Sequence, residues 1–343
     1  MARSPHILIV GFGSAGRRHA LNLSRRGAAI SVVDTRNDRL SAEGLRVQAA
    51  FADLETALTQ GPYNGAVVAT PTVFHVEQTE RLLASGCRVL LEKPVAVDLK
   101  SAQRLAVAEI KAQLPILLGY TWRWWPALRE FRSRLHDGEI GRPLRAEFVM
   151  ASHLEDWHPG EPLGDFFMSR ADLGGGALLD ESHWIDQMVW MLGEPAEISA
   201  TVEKVSALPI DSDDHVELQA LFADGLRVRL HLDLYTRPTE RSIVVFGDRG
   251  ALKWSFESNT ISSCHSAEQV WQEKKLPGER NDMFDALGQE FLAMLASNAP
   301  PSCTLTDGIA VMRAIEAARM STAQAGHKIS LGPVLPNRQA GLS

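Results

Sequence analysis

The sequence predicts an α/β protein in two parts: a mainly parallel sheet with helices on both faces, followed by a second part built on an antiparallel or mixed sheet. Three observations carry this. Short apolar runs alternate with helix-compatible segments up to about residue 120, the pattern of successive βαβ units. The first run is joined to the first helical segment by a glycine-rich turn at 11–16. From residue 196 the texture changes to short segments of alternating apolar and polar residues, separated by Asp-Gly, Asp-Arg-Gly and proline turns.

Composition narrows the classes. A chain of 343 residues, 45% hydrophobic and 22% charged, is long enough for two domains with a substantial core. A net charge of −7 without any basic tract argues against nucleic acid as a partner. Cys87, Cys264 and Cys303 are odd in number, far apart and outside any Cys/His ligand spacing. The expectation is reduced thiols in a cytoplasmic protein with no metal site. The apolar run 7–10 stops at a glycine and leads into Arg17, Arg18 and His19, unlike a secretory leader. No segment is apolar over a bilayer's thickness, so no membrane partner is expected.

Taken in order, the β-branched run 6–10 leads into Gly11-Phe12-Gly13-Ser14-Ala15-Gly16 and a helical segment to residue 26. In this strand–turn–helix Gly11 allows the tight turn, Gly13 the approach of a pyrophosphate, and Gly16 close packing of helix on strand. The phosphates would meet free N–H groups and the positive end of the helix dipole. A second strand, 29–33, ends at Asp34, placed to bind the ribose hydroxyls of a dinucleotide. That carboxylate favours NAD. Arg36 and Arg39 beside it keep NADP open, because an arginine can take the extra phosphate.

The alternation continues through a strand at 66–69, Thr70-Pro71, a helix over 73–85, and a strand at 88–91 that ends abruptly in Glu92-Lys93-Pro94. A helix at 99–111 and a strand at 115–118 follow. Thr70, Pro71 and Lys93 then sit at carboxyl ends of parallel strands, the edge where open α/β sheets bind ligands. Lys93 is placed where a nicotinamide ring would meet a substrate. After Gly119 three tryptophans and Arg123 crowd one junction, dividing the chain into domains 1–120 and 121–343, with the tryptophans in an interdomain core. A buried guanidinium there needs an anionic or hydroxyl-rich partner, which makes Arg123 a candidate substrate contact.

A helix at 128–136 and a strand at 144–151 precede an aperiodic stretch, 152–170, containing His153, Trp157, His158 and two prolines. It reads as a long loop over a cleft. Gly174-Gly175-Gly176 then opens one helix whose half at 188–192 is apolar all round and hence buried. Asp180 and Asp186 each lie three residues from His183, so both are expected to neighbour it, raise its basicity and orient it. Strands at 198–205, 215–222, 226–234, 242–246 and 251–254 form a sheet with one face on helices and the other free for a partner subunit. Helices at 283–296 and 306–323 close the chain, with Asp307 in the first turn of the last; the tail from 332 is expected to be loosely ordered.

With these pieces in order the chain resembles the glucose-fructose oxidoreductase / inositol dehydrogenase / rhizopine catabolism (Gfo/Idh/MocA) family over nearly its whole length. The resemblance rests on Gly11 to Gly16, Ala69-Thr70-Pro71 with His75 downstream, Glu92-Lys93-Pro94, and the glycine triplet followed by Asp180, His183 and Asp186. It implies a Rossmann domain, then an α/β domain with an open, mostly antiparallel sheet that often mediates dimers or tetramers. It implies Lys93 as the catalytic lysine, His183 as the acid/base, and a sugar, polyol or related substrate, with Asp180 and Asp186 orienting His183 or binding hydroxyls. Ala69, Thr70, Pro71, His75, Glu92 and Lys93 join the cofactor-binding set; Arg123, His158 and Arg170 are further substrate contacts. Many polyol-oxidising members place the acid four residues before the histidine, whereas Asp180 is three before His183. The family also contains NAD-dependent glycosidases that retain the cofactor and non-catalytic dinucleotide-binding sensors, and these two readings stay open.

Overall fold

A computed structural model describes residues 4–157, 162–265, 267 and 269–332. The first part alternates as β1 (His6–Val10), α1 (Ser14–Arg25), β2 (Ala29–Val33), β3 (Val47–Phe51), α2 (Leu54–Thr59), β4 (Gly65–Val68), α3 (His75–Ala84), β5 (Arg88–Leu91), α4 (Leu99–Ala112) and β6 (Leu117–Leu118). All six strands are parallel in the order β3-β2-β1-β4-β5-β6, the doubly wound arrangement of dinucleotide-binding folds. The apolar runs are continuous because the central strands are buried on both faces.

Register brings the strand ends level. Val10 lies opposite Val33 and Val68, Val68 opposite Leu91, and Leu91 opposite Leu118. The residues that follow, Gly11, Asp34, Ala69, Glu92 and Gly119, therefore line up along one edge of the sheet.

The second part comprises α5 (Pro126–His136), β7 (Pro143–Ala151), α6 (Ala177–Asp180), α7 (Ser182–Leu192), β8 (Glu197–Glu203), β9 (His215–Leu221), β10 (Arg227–Asp233), β11 (Glu240–Gly247), β12 (Gly250–Ser255), β13 (Thr260–His265) and β14 (Gln272–Lys275). The chain then runs through α8 (Asp282–Ser297) and α9 (Leu305–Ala323) to β15 (Ile329–Ser330). The second sheet has the order β14-β13-β12-β11-β7-β10-β9-β8-β15, antiparallel throughout except that β7 and β10 run parallel.

Several elements depart from the sequence expectation. β3, α2, β13, β14 and β15 were not anticipated, and the single helix expected after the glycine triplet is two, α6 and α7, separated at Glu181. The stretch 152–170 carries short 3-10 turns among its described residues. The tail at 333–343 lies outside the described residues.

The junction tryptophans are buried as expected. Trp122 meets Trp125 at 6.1 Å, Trp254 at 5.8 Å and Phe256 at 5.1 Å between ring centroids, an aromatic wall joining the first sheet's exit to the second sheet. Helices α8 and α9 return to the first sheet. Asn22 and Asn281 exchange amide hydrogen bonds and Arg26 pairs with Asp285. A Cβ at Gly65 would meet Phe291 at 2.8 Å, and one at Gly308 would meet Leu118 and Val95 at 2.4 Å, so both glycines set a close approach. The Cys303 carbonyl accepts the Leu118 N–H at 3.0 Å beside the outer strand β6.

Candidate active site

The glycine turn is shaped by contacts that side chains would break. Gly11 has φ +87°, and a Cβ there would lie 2.6 Å from the Ala69 carbonyl oxygen. At Gly16 a Cβ would lie 1.9 Å from the Gly11 carbonyl oxygen. Gly13 begins α1 with no side-chain cap, and a Cβ there would meet only the Arg39 guanidinium at 3.6 Å. The uncapped first turn leaves N–H groups for an anion, with room beside them. Asp34 is held at the end of β2 by the N–H groups of Phe12 (2.7 Å) and Arg36 (2.9 Å). These residues fit a dinucleotide: Gly11 to Gly16 would hold its pyrophosphate and Asp34 its ribose. Arg36 pairs with Asp38, and the arginine nearest the turn is Arg39. Gly16→Ala is expected to weaken NAD binding about tenfold or more, since a misplaced turn forfeits several charge-assisted N–H bonds to phosphate. Calorimetric titration checks this; an unchanged affinity would show that the turn can yield.

Two residues expected to contact the cofactor act as braces instead. His75 is buried, with Nδ1 2.8 Å from the Pro94 carbonyl oxygen and Nε2 2.9 Å from that of Thr70. It ties the 70–71 and 93–94 loops together and has no ring nitrogen left for a ligand. Glu92 is buried too, with Oε1 2.6 Å from His19 Nε2. Burial favours its neutral form, but His19 and then Lys93 outweigh this and hold the carboxyl below its ordinary range.

Lys93 emerges beside them and reaches across to the second part. Its Nζ donates to the Asp180 carboxylate at 2.9 Å and to the Asp180 carbonyl. Burial works against the ammonium, but Asp180, Glu181 and Glu92 outweigh it and keep the lysine above its ordinary range. It is a cation at neutral pH and a hydrogen-bond donor, not a base.

The expected pairing of His183 with two carboxylates is not what the chain forms. The helix break at Glu181 removes the three-residue spacing from Asp180, whose carboxylate turns to Lys93. Asp186 is fully buried and bound to Arg123 through three contacts of 2.7–3.1 Å. His183 stands between the rings of Tyr120 (5.9 Å) and Trp122 (6.5 Å), with Nδ1 sealed from solvent and without a partner. Burial, then the charges of Lys93 and Arg280, push it well below the ordinary histidine range, so it is neutral at pH 7.

Arg123 is likewise committed within the chain. Its guanidinium is enclosed by Asp186 and by Asp307, 3.3 Å away, and offers nothing to a substrate. Arg170 is exposed and paired with Asp172; His158 lies outside the described residues. The glycine triplet admits the protein's own backbone and side chains: a Cβ at Gly175 would lie 2.4 Å from the carbonyl oxygens of Phe167 and Met168, and one at Gly174 2.9 Å from Val97.

One residue of the cleft was missed. Glu181 is buried at 8% exposure. Burial and the adjacent Asp180 push its carboxyl up to about 7. The sequence offered only its position next to Asp180; the bend that turns it inward has no glycine or proline to announce it.

Lys93, Asp180, Glu181 and His183 thus form a compact set beside the dinucleotide edge: a fixed cation, a neutral imidazole and a carboxyl poised near neutrality. Such a set can hold an oxygen and move its proton.

A family described as "Oxidoreductase family, NAD-binding Rossmann fold" matches residues 6–120, and "GFO/IDH/MocA C-terminal domain" matches 128–253. The chain is 24% identical to 1,5-anhydro-D-fructose reductase of Ensifer adhaerens, over 88% of this chain and 91% of that protein. It is 25% identical to the rhizopine catabolism protein MocA of Rhizobium meliloti, over 90% and 92%. Among solved structures it superposes on levoglucosan dehydrogenase in complex with NADH and levoglucosan with a TM-score of 0.85, at 18% identity and covering 96% of this chain and 100% of that one. The WlbA dehydrogenase of Bordetella pertussis, in complex with NADH and UDP-GlcNAcA, gives 0.81 at 20% identity, covering 97% and 100%.

Proposed function

Because the chain belongs to the Gfo/Idh/MocA oxidoreductase family, we propose that it transfers a hydride between the nicotinamide of NAD and a hydroxyl-bearing carbon of a sugar, polyol or sugar derivative. The observation that carries this reading is the convergence of Lys93, at the carboxyl edge of the parallel sheet, with Asp180 and His183 from the second part. When bound, NAD supplies the hydride acceptor at C4 of its nicotinamide ring. Lys93 donates to the substrate oxygen and stabilises the negative charge that develops there. His183 takes the hydroxyl proton on Nε2, because Nδ1 is sealed from solvent and the neutral state of the ring at pH 7 leaves one nitrogen free to accept. Asp180 fixes the lysine and accepts from a neighbouring hydroxyl. Asp34 favours NAD over NADP, since it would repel a 2′-phosphate.

The matched family regions meet between residues 120 and 128, which supports a cofactor domain at 1–120 and a substrate domain at 121–343. The second sheet's outer face, with Arg145, Glu147, Arg229 and Glu217 in mixed-sign rows, supports a homodimer or homotetramer. No helix among the described residues is long and apolar enough to cross a membrane.

The experiment is nicotinamide absorbance with NAD, then NADP, against polyols, aldoses, sugar acids and nucleotide sugars. Reduction of NAD with one class establishes the dehydrogenase; release of free sugar without net NADH would replace it by a cofactor-retaining glycosidase.

The pH profile gives a sharper check. Burial and the adjacent Asp180 push the Glu181 carboxyl up to about 7, so it gains charge as the pH rises through that value. Its ionised form adds negative charge beside the site and favours proton transfer to His183, so oxidation is expected to rise as pH increases through that value. Glu181→Gln should flatten the rise; an unchanged inflection would assign it elsewhere.

A further inference from the structure

His19 lies in the middle of α1, the helix that opens on the glycine turn, yet it faces inward and is fully buried. Its ring stands edge-on to Phe284 of α8 at 5.8 Å, and its Nε2 lies 2.6 Å from Oε1 of Glu92. A carboxylate can only accept, so Nε2 carries the hydrogen. The other ring nitrogen is sealed without a partner among the described residues, so the imidazole has one polar commitment, to Glu92.

Glu92 is placed as closely. Its backbone N–H donates to the Val68 carbonyl at 2.9 Å, within the sheet ladder. Its carboxyl group fits against Gly119 at the exit of β6, where a Cβ would lie 3.1 Å from Cδ and Oε2. Oε2 accepts the Lys93 N–H at 3.3 Å. The lysine is thus fixed at its backbone by Glu92 and at its Nζ by Asp180, and the next residue, Pro94, is tied through His75 to Thr70. Without the histidine, Glu92 would be a buried carboxylate whose remaining donor is one backbone N–H, and burial would then favour its neutral form. The other charged or titratable groups that bear on it are Lys93 beside it, Arg18 of α1 and His75 of α3.

We propose that His19 is a positioning residue for Lys93: it holds Glu92 ionised and in place, and Glu92 in turn fixes the backbone of the lysine and supports its charge. This role rests on the oxidoreductase reading above.

The test is trace acetylation of the protein–NAD complex with dilute acetic anhydride at pH 7, in wild type, His19→Leu and His19→Gln. Mass spectrometry compares the Lys93 peptide with those of the exposed Lys100 and Lys253. An amine reacts only as its free base, so the relative rate reads how firmly Lys93 holds its proton. In His19→Leu that rate should rise about tenfold, the equivalent of one pH unit in proton affinity. His19→Gln, whose amide can donate to Glu92, should stay near wild type. The excess in His19→Leu should shrink as the pH rises and Glu92 ionises without its donor, an inflection that a merely loosened fold would not give. Where His19→Leu does not fold, Glu92→Gln should show the same rise without the inflection. With D-glucose, myo-inositol or D-glucuronate as the sugar that reduces NAD, His19→Leu should lower kcat about tenfold at unchanged KM and NAD affinity, the mark of a misplaced group. An unchanged Lys93 rate, a rise shared by all three lysines, or a glutamine variant as reactive as the leucine variant overturns the proposal. Full turnover in His19→Leu also overturns it while keeping the dehydrogenase. The expected labelling without NAD reduction by any of these sugars keeps the linkage from His19 to Lys93 and counts against the dehydrogenase instead.

Discussion

Lys93→Ala is expected to lower turnover about a hundred- to a thousandfold while leaving NAD affinity nearly unchanged. The reason is geometric. Lys93 leaves the sheet edge after Glu92, is fixed by Asp180 at 2.9 Å, and remains a cation despite burial because three carboxyl groups surround it. A pre-set donor of this kind, aimed at the oxygen where charge develops, supplies ~2.7–4 kcal/mol to a transition state. The dinucleotide is held elsewhere, by the glycine turn and Asp34, so its binding should survive. Steady-state rates and NAD titration together check this. Loss of both activity and NAD binding would mean that Lys93 holds the two parts together and does not act on substrate.

Arg123→Ala is expected to cost about 3–5 kcal/mol of stability, because it leaves Asp186 as an uncompensated buried charge. The guanidinium joins three elements, the junction after β6, helix α7 and the first turn of α9, through Asp186 and Asp307. Urea unfolding followed by tryptophan fluorescence measures the change. The paired substitution Arg123→Met with Asp186→Leu should recover most of the loss, since well-packed apolar groups can replace a buried ion pair. A loss of sugar affinity with no change in unfolding midpoint would restore Arg123 to the substrate site.

Much of this was legible from the residues. The buried β-branched strands, the glycine turn and the placement of Asp34 all follow from local pattern, because strands covered on both faces read as unbroken apolar runs. β3 and β14 escaped notice for the opposite reason: one alternates between half-buried and exposed residues, and Gln272 to Lys275 is exposed throughout, so neither shows a buried stripe. In the candidate site, Lys93, Asp180 and His183 stood out by their motifs, whereas which of them would pair did not. Helical spacing paired His183 with Asp180 and Asp186, but the break at Glu181 and the demand of a buried guanidinium redirected both acids.

The return of α8 and α9 to the first sheet has a consequence for how the protein is made. On a ribosome the parallel sheet is complete once β6 has emerged, yet its flank still lacks Phe291, Leu295 and the backbone approach at Gly308, and the Leu118 N–H of β6 lacks its acceptor, the Cys303 carbonyl. The nascent dinucleotide-binding half therefore presents apolar surface and an open strand edge until almost the whole chain has been synthesised. Its last helices pack against its first sheet, so the two parts are expected to unfold as one cooperative unit.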